Sequence, residues 1–148
     1  MAVTDDLDVV IVGAGFCGLY ALWRLRGDGF RARVFDAAPG HGGVWHWNAY
    51  PGARVDSHWP NYEFSLEPVW RDWYWDQRFP GRDELCRYFD HAVDVLDLGP
   101  NVELGRRAVT ADFDPMSATW TTVLDDGRLI GSRYVILAIG FAAQPYVP

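Results

Sequence analysis

Leu7-Asp8-Val9-Val10-Ile11-Val12-Gly13-Ala14-Gly15-Phe16-Cys17-Gly18 is the stretch on which the fold turns. Its first half is a short β-branched run, suited to a parallel strand buried on both faces. Its second half fits G-x-G-x-x-G. A lone fit is weak evidence. Here it follows a predicted strand and opens a predicted helix over residues 16–26, which Gly27 and Gly29 break. A second strand follows over 31–35 and ends at Asp36, 18 positions after Gly18. In this motif Gly13 permits the tight turn, Gly15 lets backbone approach a pyrophosphate, and Gly18 lets the helix pack closely on the strand. The helix N-terminus, with the Phe16 and Cys17 backbone, offers free N–H groups and positive dipole charge to the phosphates. Asp36 is placed to bind a ribose diol and would repel a 2′-phosphate, so this loop favours FAD or NAD over NADP. Cys17 is read as a small residue beside the cofactor rather than an activated thiol.

Residues 37–80 hold six of the eight tryptophans and show little periodicity. They read as loop with short helical pieces, and a loop this long in a compact domain is usually functional. Pro80-Gly81 then opens a clear helix. Leu85, Tyr88, Phe89, Ala92, Val93 and Leu96 share one face, Asp83 and Glu84 sit in the first turn where the dipole favours them, and Gly99-Pro100 ends it. Three β segments are expected near 102–113, 118–124 and 128–131, turned by Asp114-Pro115 and Asp126-Gly127, before a last apolar strand over 133–139. The fold class is α/β: a single Rossmann-like domain over residues 1–148, a parallel sheet with a β-meander crossover.

Composition excludes several functions. The chain has 148 residues, a net charge of −7 and an isoelectric point near 4.9. Its 13 basic residues are all arginine, which removes Schiff-base and P-loop lysine mechanisms. No basic stripe exists to track nucleic acid, and no apolar run approaches the roughly 18–20 residues that span a bilayer. Two cysteines and an acidic start without a secretory pattern fit a cytoplasmic setting. His41, His46, His58 and His91 lack metal-ligand spacing, so no metal site is expected.

The glycine loop alone does not choose between FAD and NAD. Gly42-Gly43-Val44-Trp45-His46-Trp47-Asn48-Ala49-Tyr50-Pro51-Gly52-Ala53-Arg54-Val55-Asp56 does. It resembles the [AG]-G-x-W-x-x-x-x-[FY]-P-[GM]-x-x-x-D signature of Baeyer–Villiger monooxygenases and their flavin-monooxygenase relatives, and matches at every fixed position. The segments after it, Ser57 to Ser65, Trp70-Arg71-Asp72-Trp73 and Arg78-Phe79-Pro80-Gly81, resemble that family too.

The resemblance implies an enzyme holding FAD in one Rossmann domain and NADPH in another, and oxygenating a small ketone or a soft nitrogen or sulfur centre. It implies that Gly13, Gly15 and Gly18 hold the FAD pyrophosphate and Asp36 the adenosine ribose. Val44, Trp45, His46 and Trp47 would run along the ribityl chain and ring edge, and Tyr62 would contact FAD. Asp56 would stand by the ring as the catalytic residue. Arg54, Val55 and Asp56 would touch the nicotinamide end of NADPH, and the Val109 backbone would hold the adenine. Two features depart from the family. Ile139 stands where it has threonine or serine, and the F-x-G-x-x-x-H fingerprint, NADPH domain, catalytic arginine and C-terminal return are missing from these 148 residues. The expectation is an FAD-binding portion that is not catalytically competent alone. The alternatives are a nucleotide-binding subunit of a split enzyme, with a second chain carrying the NADPH domain, or a non-functional remnant.

Overall fold

β1 (Asp5–Val12) runs through the middle of a six-stranded sheet in a computed structural model that describes residues 5–141. Residues 1–4 and 142–148 lie outside the described residues. The other strands are β2 (Ala32–Asp36), β3 (Val102–Leu104), β4 (Ala108–Asp114), β5 (Thr119–Leu124) and β6 (Leu129–Leu137). Their order is β3-β2-β1-β6-β5-β4. β1 pairs in parallel with β2 and β6, and β2 with β3; β4, β5 and β6 form the antiparallel meander.

Two strand assignments in the C-terminal half differ from the sequence reading. The segment expected over 102–113 is two strands, because Gly105 turns the chain at φ +66° and its N–H donates to Ala38 O. The segments expected at 128–131 and 133–139 are one strand, β6. Its first residues pair with β5 and its length from Ile130 onward pairs with β1. Partners on both sides override the break that Gly131 implies.

One face of the sheet, through Val9, Ile11 and Val34, packs on α1 (Phe16–Gly27) by Leu19 and Leu22 and on α4 (Arg82–Val95) by Tyr88, Phe89, Ala92 and Val93. The helical periodicity of residues 85–96 is thereby explained. α4 stops at Val95, before Gly99-Pro100. Asp97 takes a left-handed φ of 50°, and Asp97 and Leu98 donate their N–H groups to Asp94 O and Val93 O. That is a Schellman ending with aspartate where glycine is usual.

The meander covers the other face. Leu124 and Ile130 pack on Val10 and Phe35. A charge cluster pins the β5–β6 turn to β3: Arg33 and Arg128 both hydrogen-bond Glu103, while Arg128 and Arg106 lie 2.8 and 3.0 Å from Asp126. The hydrogen bonds from Arg128 hold the Glu103 carboxyl below its usual range. A folded-state pKa that is depressed contributes stability above the unfolded value, lost as pH falls through the folded one. The melting temperature should therefore fall as pH drops below about 4.5, the ordinary value for this carboxyl. Glu103→Gln should flatten that acid limb in a pH series of thermal melts; an identical limb would remove Glu103 from the account.

Candidate functional site

The three glycines of the loop are glycine for two different reasons. Gly13 has φ +112°, and a Cβ there would lie 2.5 Å from Ala138 O. A Cβ on Gly18 would lie 1.8 Å from Gly13 O. The fold demands both. A Cβ on Gly15 would meet only Gly43, 3.7 Å away at its Cα. The fold tolerates a side chain there, so the space above Gly15 is room for something else. Gly15 caps α1, and the N–H groups of Phe16, Cys17 and Gly18 find no acceptor among the described residues. Unclaimed donors at a helix N-terminus beside an open backbone fit a phosphate group.

Asp36 is buried at the end of β2. Its carboxylate accepts from Ala14 N–H at 2.6 Å and Ala38 N–H at 2.7 Å. It therefore braces the glycine loop from behind, a role the sequence reading lacked. The N–H of Arg106 donates to Asp36 O, which brings the chain entering β4 to the same end of the sheet. Val109 is three residues further, exposed, at the irregularity where β4 shifts register. Cys17 is exposed on α1.

The fifteen-residue signature starts against this loop. Gly42 N–H donates to Ala14 O at 3.0 Å, and Gly43 lies against Gly15. α2 (Val44–Trp47) follows. Trp45 is half-buried, edge-on to Tyr62 at 5.7 Å; Tyr62 neighbours Phe16, which packs on Phe64 and Phe89. Val44 and Trp47 are exposed, with the His46 ring edge-on to Trp47 at 5.5 Å. Core packing thus accounts for part of Trp45 and none of Trp47.

Residues 53–55 then run extended beside Pro80 to Arg82. Val55 N–H donates to Pro80 O, Arg82 N–H to Ala53 O, and Arg54 bridges Gly81. Alternation follows: Ala53 and Val55 are buried, Arg54 and Asp56 exposed. Asp56 has no side-chain partner among the described residues and caps no helix, so its simpler explanations as a cap or a partner of Arg54 do not hold.

The structure thus gathers Gly13, Gly15, Phe16, Gly18, Asp36, Trp45 and Tyr62 around one loop and sets Arg54 and Asp56 outward on the segment beyond. Trp73 and Trp75 pack on the buried ring of Tyr88, whose hydroxyl accepts from Phe64 N–H and whose pKa burial pushes up. Trp70 and Tyr74 are exposed. This aromatic stretch packs on α4 through Trp73 and Trp75. A cleft of about 450 Å³ opens elsewhere, between residues 49–53 and Asp76, Arg82, Glu84 and Arg87. Among the described residues no cluster of three or more His, Cys, Asp or Glu side chains could hold a metal, and no helix is long and apolar enough to cross a membrane.

Strand, glycine turn, helix and acidic strand end define a Rossmann-type dinucleotide-binding protein, and residues 11–77 match the family described as NAD(P)-binding Rossmann-like domain. An FAD-binding monooxygenase of Aspergillus aculeatus is 43% identical over 97% of this chain, which covers 24% of that protein. The cyclopentanone 1,2-monooxygenase of a Comamonas species is 40% identical over 99% of this chain and is covered over 27%. The solved structure of a steroid monooxygenase bound to NADP superposes with a TM-score of 0.91 at 37% identity, with 97% of this chain and 28% of that chain covered. In sequence and fold the chain is similar to Baeyer–Villiger-type flavoprotein monooxygenases, and it spans about a quarter of the length of these relatives.

Proposed function

We propose that this chain is the FAD-binding portion of an NADPH-dependent flavin monooxygenase, cytoplasmic, acting on ketones or on soft nitrogen and sulfur centres. The observation that carries the reading is the space at Gly15, walled by Gly43 of the signature and bordered by unclaimed N–H groups. The glycine loop and the start of the signature thus stand side by side. The pyrophosphate would rest on Gly13 to Gly18, the ribose on Asp36, the adenine against the backbone at Val109, and the ribityl chain and ring along Val44 to Trp47 and Tyr62. FAD, when bound and reduced, supplies the oxygen activation. Around it, Asp56 would hold or deliver a proton, and Arg54 would meet the nicotinamide end of NADPH; both side chains are exposed and turned away from the core. No second G-x-G-x-x-G follows Gly18 within the 148 residues, so NADPH binding and oxygenation need further polypeptide, from the same protein or a second chain.

Titration of the purified chain by quenching of flavin fluorescence, with NADP as competitor, tests the cofactor assignment. FAD should bind and NADP should compete poorly, because the Asp36 carboxylate repels a 2′-phosphate. Tight NADP binding without FAD binding would overturn the reading.

A further inference from the structure

α2 has four residues, too few for its own hydrogen bonds to hold it, and its last carbonyls need donors from outside. Two come from α4. Arg82 Nη2 donates to His46 O at 3.0 Å, and the Cys86 thiol lies 3.7 Å from Trp45 O. Arg82 and Cys86 are four residues apart, on one face of α4, so consecutive turns of α4 take consecutive carbonyls of α2. Burial pushes the Cys86 pKa up, which keeps the thiol a donor. The backbone N–H of Arg82 also donates to Ala53 O at 2.9 Å, beside Arg54 and three residues from Asp56. One residue therefore ties together both halves of the signature.

We propose that Arg82 is a positioning residue for the flavin half of FAD: through His46 O and Ala53 O it sets Trp45, Trp47, Arg54 and Asp56 relative to the glycine loop. This rests on the FAD reading above. On that reading the ADP half of FAD would be held by the glycine loop and Asp36, which Arg82 does not contact. Loss of the Arg82 side chain should therefore weaken FAD and spare ADP, whereas general damage to the fold would weaken both.

Calorimetric titration of the wild type, Arg82→Gln, Arg82→Lys and Cys86→Ala with FAD and separately with ADP tests this, with a thermal melt of each. Wild type should bind FAD more tightly than ADP. Arg82→Gln should lose about tenfold in FAD affinity, the scale of a hydrogen bond from a charged donor, with ADP changed by less than about twofold. Arg82→Lys should recover most of the loss, since one carbonyl needs one donor and not a fork. Cys86→Ala should shift the same ratio in the same direction, less strongly, and it keeps the test alive if Arg82→Gln does not fold. An unchanged FAD-to-ADP ratio in these variants, or an equal loss of both ligands, overturns the positioning role. A wild type that binds FAD no better than ADP overturns the flavin reading itself, and is recognised before any variant is compared.

Discussion

Gly15→Val is expected to give a folded chain that has lost FAD. The backbone at Gly15 has φ −88° and ψ −166°, extended geometry that a β-branched residue adopts readily. A new Cβ meets only ordinary contact with Gly43. The cost to stability should be within about 0.5–1 kcal/mol, the range of a substitution that creates no cavity, strain or buried polar group. Binding is another matter. The branched side chain fills the space over Phe16, Cys17 and Gly18, whose N–H groups find no acceptor among the described residues. Affinity for FAD should fall by about a hundredfold or more, or some 2.7 kcal/mol. Circular dichroism melts and flavin fluorescence read the two quantities separately. A Gly15→Val chain that binds FAD as the wild type does would remove the glycine loop as the phosphate site.

Gly18→Ala is expected to do the reverse and attack the fold. The added methyl would lie 1.8 Å from Gly13 O, with Ala138 Cβ at 3.5 Å behind it. α1 cannot keep its seat against β1 and β6. Forcing atoms into a packed contact costs about 1–3 kcal/mol and more where backbone must move, so a loss of about 3 kcal/mol or greater is anticipated, a large share of a small domain's stability. Urea unfolding at constant m-value measures it. A midpoint equal to that of the wild type would show that the strand-to-helix turn is looser than its geometry demands.

The two variants also mark what sequence reading can reach. The motif placed Gly13 at the tight turn and Gly18 at the helix packing because strand, turn and helix are local. It already set Gly13 and Gly18, as turn and packing positions, apart from Gly15; what it could not name is the atoms that enforce this, Ala138 O against Gly13 and Gly13 O against Gly18. Asp36 was read as a ribose contact, but its grip on Ala14 N–H follows from the register of β1 on β2, which no local pattern states. The split at Gly105 and the unbroken run of β6 were missed for one reason: strand ends were set by pairing partners, not by propensity. The end of α4 was placed too late because Asp97 adopts a conformation usually left to glycine. Arg82 carried no signal at all. An arginine opening a helix is unremarkable until the helix it reaches across to is known.

The parallel pairing of β1 with β6 has a consequence for the moment of synthesis. Asp5 stands opposite Ile130 and Val12 opposite Leu137, each pair 125 residues apart along the chain. At about 5–20 residues per second, the ribosome makes the partner of β1 some 6–25 seconds after β1 itself. During that interval Val9, Val10 and Ile11 have at most β2 beside them, and one edge of this central strand is open. Exposed strand edges are where nascent chains adhere to one another. The residues that end up most deeply buried are thus the ones that wait longest in the open, and the yield of folded protein depends on what shields them meanwhile.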